Sequence, residues 1–164
     1  MSLQLNAPQP LASPHILDRL ECGEAILDEW LKRRAMVNQV SGASRTFVMV
    51  DQDSRVYGYY AMAAGAVSHQ IATSSLRRNM TDPVPVMVLA RLAVDHHAQG
   101  IKLGACLLQD AVSRAVMVSQ NAGVRALLVH ALHDRAKEFY EHYGFQSSPL
   151  HAMTLMLRLN IGKS

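Results

Sequence analysis

The chain has 164 residues and a formal net charge of +3. That length suits one domain, which buries roughly 70% of its unfolded surface without needing disulfide staples. Hydrophobic residues make up 49% and charged residues 18%, which excludes a disordered polyelectrolyte.

Leu3 to Pro14 holds three prolines and reads as an extended edge strand entering a turn. Ile26, Leu27, Trp30, Leu31 and Ala35 recur at three and four residues, which predicts a helix stopped near Gly42. Lys32, Arg33 and Arg34 lie in its second half, where the helix dipole favours cations. Thr46–Val50 and Val56–Met62, joined by the polar turn Asp51–Ser54, predict a hairpin. Ser74–Pro85 reads as a loop with Arg77 and Arg78 exposed. Val84–Val94 is nearly all apolar, which predicts a strand buried on both faces. His96–Lys102 is a turn, and Leu103–Gln120 is a helix with Leu103, Leu107, Leu108, Ala111 and Ala115 on one face, ended by Gly123. Arg125–Ala131 is a further strand, and Asp134–Tyr143 is a short helix ended by Gly144. Phe145–Ser148 and Met153–Leu159 are final strands. Alternating strand and helix in the second half predicts a parallel crossover, and the early hairpin an antiparallel part, so the fold class is α/β with a mixed sheet.

Two segments bear on chemistry. The turn Gln99-Gly100-Ile101-Lys102-Leu103-Gly104-Ala105 joins a strand to a helix N-terminus, where free N–H groups and the helix dipole suit a pyrophosphate. An ordinary turn whose glycines serve packing has the same appearance. In Phe139-Tyr140-Glu141-His142-Tyr143, a phenol facing a cleft and simple helix-to-sheet packing are likewise both open.

Taken together these segments are more specific. A strand ending in Asp95, then Gln99-Gly-x-x-x-Gly-Ala, a helix, a strand and Ala-x-x-Phe-Tyr-x-x-x-Gly-Phe resembles the acetyl-CoA-binding core of the GNAT acetyltransferases. Cys22-Gly23-Glu24, Leu27-Asp28-Glu29-Trp30-Leu31, Leu76-Arg77-Arg78-Asn79-Met80 and Leu89–Asp95 extend the similarity to GNAT toxins of type II toxin–antitoxin pairs. The resemblance implies one GNAT domain over 1–164. Its central sheet would be mixed, mostly antiparallel and of six to seven strands, flanked by about four helices. It implies acetyl transfer from acetyl-CoA to the α-amine of the amino acid on charged elongator tRNA, with glycyl-tRNA the leading choice. A ribbon-helix-helix antitoxin and a homodimer are implied as partners. In roles, Leu92, Ala93 and Val94 would hold the pantetheine arm and acetyl carbonyl, and Gln99, Gly100, Lys102, Gly104 and Ala105 the pyrophosphate. Tyr140 would protonate the leaving thiolate. Arg33, Arg34, Arg77, Arg78 and Arg91 would meet tRNA phosphates. Lys102 departs from the family's glycine. If that position needs positive φ, the cost is about 1 kcal/mol; if it is right-handed, there is none.

Residues 86–94 carry no Asp, Glu or His, so no general base is visible on that strand. A lysine acceptor, with a pKa of about 10.4, would need one; an aminoacyl ester's amine, below roughly 8, would not. His96 and His97 are adjacent and expected to point apart, so no metal is expected. Cys22 and Cys106 match no metal or redox spacing. Without a leader or an apolar run of roughly 18 residues, a cytoplasmic setting is expected and no membrane contact. Two rival functions are a GNAT acting on a small amine or protein N-terminus, and a non-catalytic binding module.

Overall fold

Strands β2 (Arg45–Val50) and β3 (Val56–Val67) form the expected hairpin in a computed structural model that describes residues 3–159. They pair antiparallel from Arg45 opposite Met62 to Met49 opposite Gly58, with a register shift before Val50. One Asp51 carboxylate oxygen accepts the backbone N–H groups of Asp53 and Arg55 at 2.9 and 3.0 Å, which closes the turn. Strand β1 (Gln9–Pro10) pairs with β2 at the sheet edge, where proline's missing N–H costs no ladder bond.

The predicted first helix is continuous but not uniform. Helix α1 (Ala25–Trp30) passes into a π-helical turn (Leu31–Ala35) and then α2 (Met36–Ser41), capped by Gly42 at φ +84°. Lys32, Arg33 and Arg34 therefore sit mid-helix, where the dipole contributes little. Two of them are balanced locally instead: Arg33 Nε donates to Glu29 at 2.7 Å, and Lys32 Nζ lies 3.8 Å from the same carboxylate.

The expected loop after β3 contains one helical turn, α3 (Ser74–Arg77). Strand β4 (Val84–Val94) follows, and differs from expectation. Val84, Val86, Leu89 and Ala93 are buried, but Ala90 is exposed and Arg91, Leu92 and Val94 are only half-buried. The buried positions are even-numbered at the start of the strand and odd-numbered toward its end, so neither face is packed throughout, where the apolar composition suggested two packed faces.

A single 3-10 turn (His96–Ala98) leads to α4 (Leu103–Ser119), whose Leu103, Leu107, Leu108, Ala111 and Ala115 are all buried as the 3.6-residue period predicts. Gly123 lies beyond the helix end and is not among the positive-φ glycines. Strand β5 (Ala126–His130) runs parallel to β4, from Val86 opposite Ala126 to Leu89 opposite Val129, which is the predicted crossover. Helix α5 (Asp134–His142) and strands β6 (Gln146–Ser147) and β7 (Thr154–Arg158) complete the chain; β7 pairs antiparallel with both β5 and β6. The sheet has seven strands in the order β1-β2-β3-β4-β5-β7-β6. No helix among the described residues is long and apolar enough to cross a membrane.

The chain forms two compact units, with β3, β4 and α4 contributing to both. The first comprises the described residues through Ala63 together with Ala90–Ala111. Its core packs Leu20, Leu31, Val48, Val56 and Tyr59, with Trp30 and Leu27 against them. The second comprises Ala64–Leu89 and the described residues from Val112 onward, built on Leu76, Val84, Val86, Ala126, Leu128 and Met156. Each buried aliphatic side chain contributes about 1.5–3 kcal/mol.

Within the first unit, Gly58 lets α4 approach the sheet: a Cβ there would stand 3.0 Å from Leu107 Cδ1 and 3.2 Å from Leu103 Cδ2. Gly58→Ala is therefore expected to lower stability by about 1–2 kcal/mol. A urea midpoint equal to or above wild type would show that this contact has slack.

Candidate active site

The C-terminal end of β4 is fixed by one buried carboxylate. Asp95 is fully buried. Its oxygens accept the Glu21 N–H at 2.9 Å, the His97 N–H at 2.8 Å and His97 Nδ1 at 2.8 Å, with Arg55 Nη2 at 3.6 Å. Burial alone would raise its pKa; the two backbone donors, the imidazole and the guanidinium outweigh that and hold it below the ordinary value. Its own N–H donates to the Tyr57 carbonyl at 2.7 Å. The carboxylate thus ties the segment around Glu21 and the hairpin base to the turn, and its lone pairs are committed.

From this anchor the chain enters the glycine-bearing turn. The Gln99 side-chain amide donates to the Val94 carbonyl at 3.2 Å, closing the turn on the strand. Gly100 has φ +89° and Lys102 φ +61°. Of the two alternatives left open for Lys102, the structure has the left-handed one, at a cost of about 1 kcal/mol. Its N–H is retained, its side chain is exposed, and its carbonyl accepts the Cys106 N–H at 3.2 Å as α4 begins. Gly104 and Ala105, half-buried, lie in the first turn of this seventeen-residue helix. Left-handed residues just before a helix N-terminus turn successive amides toward a common side, the geometry of an anion-binding concavity. Leu92 and Val94 are half-buried, and Ala93 is buried.

His96 and His97 do not point apart. Their rings lie 4.4 Å apart, because Asp95 draws in His97 while the Glu21 carbonyl accepts from His96 Nδ1 at 2.7 Å. Asp95, His96 and His97 each offer one potential ligand atom within 4.8 Å of the others. The Asp95 oxygens are already occupied by protein donors, which leaves the imidazoles without a charged co-ligand. A cavity of about 380 Å³ beside this turn is lined by Asp18, Arg19, Glu21, Lys32, Arg55 and His97.

Tyr140 belongs to the second unit. Helix α5 is capped by His133, whose Nδ1 accepts the Ala136 N–H at 3.1 Å, and is followed by Gly144 at φ +95°. Tyr140 is 8% exposed, with Phe139 edge-on at 5.2 Å and Phe145 at 5.4 Å. Burial raises its phenol pKa further above neutrality, so the group carries its proton at all physiological pH.

The five predicted arginines have different surroundings. Arg33 pairs with Glu29, and Arg34 reaches Asn38 at 3.4 Å. Arg91 lies over the Trp30 ring at 4.5 Å. In the second unit Arg78 is exposed, whereas Arg77 is half-buried and donates Nη1 to the His69 carbonyl at 2.9 Å. Sequence reasoning missed Arg125, which donates to the carbonyls of Leu76, Ser75 and Arg78 and so anchors α3 and its arginines. It also missed Arg55 and the π turn; only the position of Arg55 beside a hairpin turn hinted at the former.

A sequence model of the family described as acetyltransferase (GNAT) domain matches residues 42–147. A Mycobacterium tuberculosis (strain ATCC 25618 / H37Rv) protein named tRNA-acetylating toxin is 47% identical over 152 residues, covering 93% of this chain and 91% of its own. A Sinorhizobium fredii (strain NBRC 101917 / NGR234) protein, probable toxin TacT, is 29% identical, covering 85% of this chain and 82% of its own. Among solved structures, AtaT complexed with acetyl-methionyl-tRNAfMet superposes with TM-score 0.88 at 23% identity, covering 94% of this chain and 95% of that one. At that identity the likeness is one of fold.

The Asp95 network has a pH signature. Its folded-state pKa is depressed, so its contribution is full above the unfolded value near 4 and is lost as pH falls through the folded value. Wild-type stability should therefore drop as pH falls below about 4. Asp95→Asn should be less stable at pH 7 by on the order of 3 kcal/mol and show a shallower acid decline. Parallel stability–pH curves for the two proteins would remove Asp95 from this role.

Proposed function

The chain belongs to the GNAT acetyltransferase family, and from that premise we propose that it is a toxin that acetylates the α-amine of the amino acid on charged tRNA and so blocks translation. The acetyl donor is acetyl-CoA. The observation that carries the choice of acceptor is the state of Asp95. It is the carboxylate at the end of the donor strand, its oxygens are filled by Glu21, His97 and Arg55, and residues 86–94 supply no other base. An acceptor for this strand must arrive largely unprotonated. The ester-linked α-amine of aminoacyl-tRNA does so near neutral pH, whereas lysine does not. The name of the 47% identical relative, tRNA-acetylating toxin, supports the same substrate class.

In the proposed reaction the amine nitrogen attacks the thioester carbonyl, and a C–N bond forms as the C–S bond breaks. Backbone N–H groups of Leu92–Val94 meet the developing oxyanion. The Gln99–Ala105 turn, with Lys102 adding one positive charge, holds the pyrophosphate. The amine proton is lost to water and the CoA thiolate takes a proton from Tyr140. Arg33, Arg34, Arg77, Arg78 and Arg91 supply cationic contacts to tRNA. Glycine is the proposed amino acid; the AtaT complex carries acetyl-methionyl-tRNAfMet, which makes methionine the comparison. A homodimer, a cytoplasmic site of action and a ribbon-helix-helix antitoxin complete the proposal. AtaT has been solved with the C-terminus of the antitoxin AtaR.

Incubation with acetyl-CoA and a total pool of charged tRNA, read by mass spectrometry of the aminoacyl-adenosine, should yield N-acetylglycyl-adenosine. Acetylation of another amino acid would correct the specificity, and no product beside an active small-amine reaction would overturn the substrate class. Tyr140→Phe should lower turnover by about 10²–10⁴-fold with acetyl-CoA affinity within about twofold. Near-normal turnover would exclude Tyr140 as the acid.

A further inference from the structure

Trp30 is used by none of the steps above, yet it is held firmly. Its ring stacks on Tyr59 at 6.0 Å with planes 9° apart. Tyr59 is itself fully buried and donates its hydroxyl to the Leu27 carbonyl at 2.6 Å. The Arg91 guanidinium lies over the Trp30 ring, 4.5 Å from its centroid. Arg91 projects from β4 immediately before Leu92.

The partner of an arginine decides what the arginine can still do. Arg33 is paired with Glu29, so much of its charge is compensated. Arg77 has committed Nη1 to a main-chain carbonyl. Arg34 reaches a neutral amide at 3.4 Å from an exposed position. Among the described residues no carboxylate pairs with Arg91. An aromatic face holds a guanidinium in place without neutralising it, and leaves the in-plane N–H fork free for a phosphate.

We propose that Trp30 is a positioning residue that fixes Arg91, through the Trp30–Arg91 stack, to receive a backbone phosphate of tRNA beside the acetyl-bearing strand. This rests on the tRNA reading above. It makes Arg91 a phosphate contact oriented in advance by an aromatic face and gives the tryptophan a role in RNA binding.

The test is a double-mutant cycle on the full chain, with binding measured on deacylated tRNA across a salt series, so that it does not depend on turnover. Arg91→Ala should weaken tRNA binding about tenfold and reduce the salt slope by about one. Trp30→Leu should weaken it about fivefold, and the double variant should be no worse than Arg91→Ala alone. Trp30→Phe, which keeps an aromatic face and serves if Trp30→Leu folds poorly, should bind within about twofold of wild type. Acetyl-CoA affinity should be unchanged in all four. Additive losses in the cycle, or an Arg91→Ala protein with normal tRNA affinity and salt slope, overturn the inference. So does weakened acetyl-CoA binding with tRNA binding intact, which would assign the stack to a phosphate of the cofactor. Coupled, salt-dependent binding without acetylation of any charged tRNA would support the stack and overturn the acceptor reading instead.

Discussion

A charge taken out of water must be answered by donors, and Asp95 is where this chain meets that requirement. An unpaired buried carboxylate would cost several kcal/mol. Here the answer comes from three separate stretches of chain: the Glu21 segment, Arg55 beside the hairpin turn, and the His97 turn. Satisfying one side chain therefore fixes where β4 ends and in what direction the next turn leaves. The conformations of Gly100 and Lys102, and the first turn of α4, follow from that exit. Stability and site geometry are the same interaction seen from two sides.

The same economy accounts for Lys102. Binding through backbone amides asks for a conformation rather than a side chain, so a residue other than glycine can serve if the surrounding anchors impose the angle. Gln99 closes the turn on Val94 and Lys102 opens α4 through Cys106, so the left-handed angle is held from both ends. The strain, of order 1 kcal/mol, is small beside the anchoring interactions. In return the turn keeps its N–H groups and gains a cation near the place proposed for pyrophosphate.

What the sequence revealed depended on whether a signal was periodic. The α4 face was legible because five apolar residues at helical spacing have one way to be buried together. The hairpin and the Gly144 stop were legible for similarly local reasons. The π turn was not, because widening a helix by one residue leaves no mark on composition. The partial exposure of β4 was hidden as well: apolar residues describe what a strand tolerates, not what covers it. The convergence of His96 and His97 needed a long-range partner, since adjacent residues diverge unless something such as Asp95 draws one back. Within the candidate site the motif positions could be named, but the commitments of Asp95, Arg77 and Arg125 could not. Each is made to a main-chain group or residue far away in sequence.

Charge illustrates the point most sharply. The first 82 residues contain eight acidic and eight basic side chains, a balance that suggests nothing about polyanions. Balance over a segment, however, says little about compensation at an atom. Glu29 serves both Lys32 and Arg33, so a cluster that looks basic in sequence is partly neutralised. Arg77 and Arg125 spend donors on carbonyls and act as braces. Arg55 and Arg91 each lie over an aromatic ring at 4.5 Å, but Arg55 also meets the Asp95 carboxylate, whereas Arg91, with no neighbouring cation in sequence, has no carboxylate partner among the described residues. A polyanion senses uncompensated, oriented charge rather than net charge. What each arginine is tied to is therefore a better guide to an RNA-binding surface than how many arginines lie together in the sequence.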